Sequence, residues 1–227
     1  MKARERVILF GRVPRPGEAK TRLIPAIGTE GAARLYRAFL DDAVAMASSA
    51  RELELWVPDT PGAVERLSRR YPDLAIRLQP DGDLGGRLRA AFDAAFAEGV
   101  DYAVILGSDH PTLPPEYVER AFRAQRGAHL VLGPTEDGGY YAIGLRRYCW
   151  PGAAGLFDGA PWSTSDLLEW TRRRAQDLAL CHVELPVWYD VDEPADLERL
   201  RADVRVGSAT GRALTALNLE RPEIGDA

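Results

Sequence analysis

Tyr102-Ala103-Val104-Ile105-Leu106-Gly107-Ser108-Asp109-His110-Pro111 is an apolar run that stops at a glycine and passes directly to a carboxylate. Short β-branched and aromatic runs bounded by turn residues read as buried strands. Just upstream, Leu84, Leu88, Ala91, Phe92, Ala95 and Phe96 recur at helical spacing, and Gly99 follows where a left-handed residue closes a helix. A helix running into a buried strand is one unit of an alternating α/β fold, and the same grammar extends in both directions. Towards the N-terminus come a strand at Val7–Phe10, a long helix behind Thr29 carrying Leu35, Phe39, Leu40, Ala43, Val44 and Ala47, a strand at Leu53–Val57, a short helix at Ala63–Arg70 and a strand at Ala75–Leu78. Towards the C-terminus come a helix with Tyr117, Val118, Ala121 and Phe122 ending near Gly127, then strands at His129–Leu132 and Tyr140–Leu145. A helix at Thr164–Gln176, a strand at Leu178–Leu185 and a helix at Pro194–Arg201 follow. The alternation predicts a mostly parallel sheet with helices on both faces.

A chain of 227 residues built this way is expected to hold one continuous core over residues 1–205, followed by an extension, 206–227, that is partly helical and then frayed. Hydrophobic residues at 46% and charged residues at 28% exclude extensive disorder. A formal net charge of −5 argues against a broad nucleic-acid surface, which needs a dense excess of Lys and Arg. Cys149 and Cys181 are too few for a disulfide framework, and the apolar run after the first residues is too short for a secretion signal or a membrane span. A cytoplasmic enzyme without a membrane partner is the expectation, its oligomeric state open and a homodimer included.

The loop after the first strand, Phe10 to Leu23, carries Arg12, Arg15, Lys20 and Arg22 with Gly11 and Gly17 among them. Ligands of open α/β sheets sit outside the carboxyl ends of strands, so these cations are placed to meet a phosphate chain while the glycines let backbone amides approach it. Ala19 stands where a Walker A loop requires glycine and no dinucleotide fingerprint is present, which excludes both. A solvated basic loop stiffened by Pro14 and Pro16 is the competing reading. Asp109, just past a buried strand, is either a ligand for a hard cation or the cap of the turn at Pro111; His110 reads as a neutral loop histidine. Gly133 to Tyr141 is either a plain Asp-Gly hairpin or a double glycine admitting a ligand. Asp192 suits a helix cap or the helix dipole, whereas Asp190 has no such role.

Five motifs in order, Pro14-x-Pro16-Gly17-x-Ala19-Lys20-Thr21-Arg22-Leu23, Gly107-Ser108-Asp109-x-Pro111, Gly133-Pro134-x-Glu136-Asp137-Gly138-Gly139-Tyr140-Tyr141, Pro161-Trp162-Ser163-Thr164-Ser165 and Asp190-Val191-Asp192-x-Pro194-x-Asp196-Leu197, resemble the bacterial DUF2064 family. The resemblance spans roughly residues 5 to 203. It implies a single-domain GT-A (nucleotide-diphospho-sugar transferase) Rossmann-like fold and an activity of the radical-SAM-associated or arsenosugar-biosynthesis glycosyltransferase kind. More distantly the chain is similar to phospholactate guanylyltransferases and molybdenum-cofactor nucleotidyltransferases. The family pattern implies Lys20, Arg22 and Asp109 as catalytic residues, and Asp109 with Asp190 and Asp192 as ligands for Mg²⁺ or Mn²⁺. It implies Phe10, Gly11, Arg12, Pro16, Gly17, Gln79, Gly85, Arg87 and Ser108 around the nucleotide together with Lys20 and Arg22. Asp137, Gly138, Gly139 and Trp162 are expected on the acceptor side. Two departures stand out: Arg12 replaces a common Lys, and Glu193 replaces a common Thr.

The leading expectation is glycosyl transfer from a nucleotide sugar to a small-molecule acceptor. The alternatives are nucleotidyl transfer from a nucleoside triphosphate with release of pyrophosphate, and a non-catalytic nucleotide-binding module.

Overall fold

The computed structural model describes residues 3–219. Among these, seven strands form one sheet: β1 (Glu5–Phe10), β2 (Glu52–Pro58), β3 (Ala75–Gln79), β4 (Tyr102–Gly107), β5 (Leu130–Pro134), β6 (Tyr140–Arg146) and β7 (His182–Glu184), in the order β3-β2-β1-β4-β6-β5-β7. β1 lies parallel to β2 and β4, β2 to β3, and β5 to β7. β6 is reversed, antiparallel to both β4 and β5. The helices are α1 (Ile24–Ala50), α2 (Ala63–Arg70), α3 (Leu84–Ala97), α4 (Glu116–Ala124), α5 (Trp150–Ala153), α6 (Leu167–Asp177), α7 (Asp196–Asp203) and α8 (Ala209–Ala216). The chain is an α/β protein with a mostly parallel mixed sheet, as its alternating pattern implied.

Strand side chains alternate between faces. Val7, Leu9, Leu55, Val57, Val104 and Leu106 pack with α1, α2 and α4, while Ile8, Trp56, Ala103 and Ile105 pack with α3, α5 and α6. This explains why the central strands read as continuous apolar runs rather than alternating ones: both faces are covered. A third cluster lies at one end of the sheet, where Leu23, Tyr36 and Phe39 meet Tyr189, Val191, Leu197, Leu200 and Leu214. It joins the first loop to the segment before α7. No helix among the described residues is long and apolar enough to cross a membrane.

Local signals act where they were expected. Asp83 caps α3 by accepting from the Gly86 amide (2.8 Å), and Gly99 (φ +80°) ends it while the Val100 amide bonds back to the Ala95 carbonyl. Several boundaries differ from the sequence reading. α1 begins at Ile24 and is broken at Gly28 (φ +73°), just before the expected start at Thr29. Leu178–Leu180 does not open a strand: Ala179 is left-handed (φ +54°) and the Leu180 amide returns to the Ala175 carbonyl, so these residues close α6 and β7 keeps only His182–Glu184. α6 and α7 start later than expected, at Leu167 and Asp196. The fraying expected at the end of the chain falls on residues 220–227, outside the described residues.

α8 is tied to α1 through Asp42, which is 8% exposed and accepts the Ala209 and Thr210 amides, each at 2.8 Å. Asp42→Ala strips both amides of their acceptor and is expected to cost about 2 kcal/mol, roughly 4–8 °C in Tm, measurable by circular dichroism on heating.

Candidate active site

The four parallel strands β3, β2, β1 and β4 bring Gln79, Pro58, Phe10 and Gly107 to one edge of the sheet, where Phe10 is in register with both Trp56 and Gly107. Two adjoining cavities open there. The first, about 250 Å³, is lined by Phe10, Gly11, Ser108, Gln79, Leu84 and Arg87 among others. The second, about 190 Å³, is polar and is lined by Lys20, Arg22 and Asp192. Arg12, Tyr36 and Asp109 border both. Gly11 sits where an added Cβ would meet Leu40 and Leu55 at 3.0 and 3.2 Å, so a larger residue would push the loop off the strand end.

Lys20 occupies the centre of the polar cavity. Its backbone is left-handed (φ +49°, ψ +47°), a conformation that costs an ordinary residue about 1–2 kcal/mol. The flanking Ala19 and Leu23 are buried and root that turn in the third apolar cluster. The Lys20 side chain is 4% exposed, and its Nζ lies 2.6 Å from Asp109 Oδ1 and 2.5 Å from Asp192 Oδ1. Burial disfavours the ammonium, but the two carboxylates outweigh it and hold the lysine pKa above its ordinary value. Burial likewise opposes ionisation of Asp109, and Lys20 overrides it, leaving that carboxyl below the usual range. The segment bearing Asp192 is held in place by the Val191 amide on the Asp109 carbonyl (3.1 Å). The Asp196 carboxylate accepts the Asp192 and Glu193 amides at 2.8 and 2.6 Å. Asp196, rather than Asp192, is thus the residue that closes the turn before α7.

Among the described residues no three His, Cys, Asp or Glu side chains come together as a ready cation cage. Asp109 and Asp192 nevertheless point one oxygen each at a single position, that of the Lys20 nitrogen. Two hard carboxylate oxygens converging in this way fit Mg²⁺ or Mn²⁺. Asp190, the third expected ligand, has its carboxyl pushed up to about 6 by burial and then by the nearby Asp137 and Asp192 carboxylates.

The other expected residues divide. Phe10, Gly11, Arg12, Gln79, Arg87 and Ser108 all line the first cavity. Gln79 is 6% exposed; its amide donates to the Trp56 carbonyl (3.0 Å) and its carbonyl accepts from Arg87 Nη1 (3.3 Å), which aims the guanidinium along the cavity wall. Pro16, Gly17 and Gly85 line neither cavity. Gly85 is a packing glycine: a Cβ there would lie 2.9 Å from Trp162, whose ring leans on Phe157. Trp162 therefore abuts the start of α3. Asp137 accepts from the Thr135 hydroxyl (2.5 Å) and the Gly139 amide (3.0 Å), forming the β5–β6 hairpin turn, and Gly138 (φ +88°) presses so closely on Ser165 that a Cβ would fall 2.1 Å from its carbonyl oxygen. Arg22 is exposed and pairs loosely with Glu193 at 3.5 Å, and Arg15 bonds the Pro61 carbonyl, so neither is buried with Lys20.

One bordering residue had not been singled out. Tyr36 is 3% exposed, accepts the Arg12 amide at 2.9 Å and lies 2.8 Å from Ser108 Oγ. Burial and the Asp109 charge push its phenol up to about 12, so it stays protonated. Its only mark in the sequence is a polar tip beside the apolar stripe of Leu35, Phe39 and Leu40.

The family described as an uncharacterized protein conserved in bacteria (DUF2064) matches residues 37–164. The chain belongs to this family. The DUF2064 chain is 28% identical over 207 residues to the phosphoenolpyruvate guanylyltransferase of Sphaerobacter thermophilus, covering 89% of this chain and 96% of that one. It is 27% identical over 183 residues to the 2-phospho-L-lactate guanylyltransferase of Methanopyrus kandleri, covering 80% and 84%. A crystal structure from Desulfovibrio desulfuricans G20, provisionally named a nucleotide-diphospho-sugar transferase, superposes with a TM-score of 0.89 at 31% identity and 96% coverage of both chains.

Two outcomes follow. The fold favours protonated Asp190, so this carboxyl costs stability increasingly as pH rises from 3.8 through about 6, and fully above. In cation-free buffer Asp190→Asn should therefore raise Tm at pH 7.5 and leave it unchanged near pH 3.5, as followed by thermal unfolding at both pH values. Tyr36→Phe should deprive the Arg12 amide of its acceptor, speeding its hydrogen exchange at least about tenfold, equivalent to roughly 1.4 kcal/mol of local opening.

Proposed function

We propose that this chain is a metal-assisted nucleotidyltransferase that joins a nucleoside monophosphate from a triphosphate, GTP by analogy with the two guanylyltransferases, to a small phosphorylated carboxylic acid. The observation that carries the reading is the pair of adjoining cavities sharing Arg12, Tyr36 and Asp109. One suits a nucleoside and the other, with Lys20 and Arg22, suits its phosphates. Base and ribose rest against Phe10, Leu84 and the Gln79–Arg87 pair. Arg12, Lys20 and Arg22 neutralise the polyphosphate and stabilise the charge that builds on the departing pyrophosphate. Asp109 and Asp192 would hold a divalent cation, which would supply Lewis-acid stabilisation of the phosphoryl oxygens. An acceptor phosphate oxygen forms the new bond to the α-phosphorus as the bond to the β-phosphate oxygen breaks.

The same arrangement favours an acceptor that brings its own charge. A phosphate monoester is largely dianionic at neutral pH and needs no proton removed before it attacks. Tyr36 is held protonated, and His110, its Nδ1 donating to the Tyr189 carbonyl (3.1 Å), lines neither cavity, so neither is placed to serve as a base. One observation favours glycosyl transfer as a second reading: the Asp190 carboxyl near 6 lies in the range of a general base for a hydroxyl acceptor.

The products separate the two readings. With GTP, Mg²⁺ and phosphoenolpyruvate or 2-phospholactate, acceptor-dependent pyrophosphate is expected, and Asp109→Asn should lower its rate by about 10²-fold or more. Release of nucleoside diphosphate from a nucleotide sugar, with no pyrophosphate from any of the four common triphosphates, would overturn nucleotidyl transfer in favour of glycosyl transfer.

A further inference from the structure

Asp109 Oδ1 and Asp192 Oδ1 lie 2.6 and 2.5 Å from the same nitrogen, so a cation bridging these oxygens and the Lys20 ammonium compete for one position. The lysine has little freedom to retreat. Its side chain is 4% exposed, its Nζ lies 5.9 Å from the Phe39 ring centroid, and its root is fixed in a left-handed turn between two buried residues. The polar cavity beside it also carries Arg12 and Arg22. An ammonium driven off its two carboxylates would face these like charges, with Glu18 the one other carboxylate lining the cavity and already beside Arg15 (3.6 Å), a costly arrangement. Phosphate oxygens in that cavity reverse the balance, because they give Lys20 and both arginines acceptors at once.

We propose, on the reading that this is a polyphosphate site, that it takes its divalent cation as a chelate with a polyphosphate and binds the free cation weakly. Lys20 is the reason: it yields Asp109 and Asp192 only when phosphate oxygens receive its ammonium. Lys20 thereby couples the two ligands, each raising affinity for the other by the same factor.

The test uses Mn²⁺ alone, followed by electron paramagnetic resonance of the free ion. Lys20→Gln removes the competing charge at similar length and is expected to bind Mn²⁺ about tenfold or more tightly than the wild type, within the usual range of site-to-site coupling. Equal or weaker binding by this variant, folded as judged by circular dichroism, overturns the proposal. A second measurement needs no variant. In wild-type crystals soaked with Mn²⁺ alone, Lys20 should keep both carboxylates. With Mn²⁺ and tripolyphosphate, its Nζ should move to phosphate oxygens. Manganese bridging Asp109 and Asp192 without polyphosphate overturns the proposal. Tripolyphosphate moving Lys20 in an enzyme that forms no pyrophosphate from any triphosphate sinks the nucleotidyl reading and leaves this inference standing.

Discussion

The Lys20 ammonium, shared between Asp109 and Asp192, is the interaction on which the geometry of this edge of the sheet depends. It draws together the loop after β1, the end of β4 and the segment before α7, three stretches with no covalent reason to meet. Two half-exposed carboxylates this close would repel without a cation between them, and a buried ammonium without them would be severely destabilised. Neither half is stable alone, so the loop conformation and the charge arrangement specify each other. The apolar cluster of Leu23, Tyr36, Phe39, Tyr189 and Val191 supplies the rigid backing that makes such short contacts sustainable.

Behind that pair the fold does ordinary work. Four parallel strands end together, and their last residues become the floor of a cavity divided by Tyr36, Arg12 and Asp109 into a mixed compartment and a more polar one. A sheet of this kind hosts many chemistries, so the fold alone assigns none. What narrows the choice is the division itself, which matches a ligand with a ring system at one end and an anionic tail at the other.

Much of this was legible in the sequence. Central strands announce themselves because burial on both faces demands uninterrupted apolar residues, and Asp109 is marked by its position just past such a run. Legibility fails where meaning depends on distant partners. The pairing of Lys20 with Asp192 leaves no local trace, and Asp192 looks like a helix cap although it is Asp196 that fixes the turn before α7, by accepting the Asp192 and Glu193 amides. Leu178 and Leu180 flank a residue whose left-handed backbone no propensity predicts, so a helix end resembles a strand start. Gly85 sits in a glycine pair that invites a ligand-binding reading, yet its missing Cβ is occupied by Trp162. Tyr36 is hidden inside a stripe that reads as core.

The reversal of β6 also bears on how the molecule comes to exist in time. β5 and β6 are sequence neighbours joined by the tight turn at Asp137 and Gly138, so their pairing is a local event of the kind that takes microseconds. β1 must wait for β4, pairing Val7 with Val104 across two intervening strands and three helices. The reversed strand then joins its early-formed hairpin to the late-formed parallel half through β4. Lys20 and Asp109 belong to one half and Asp192 to the other, so the second carboxylate reaches the ammonium only when the two halves have docked.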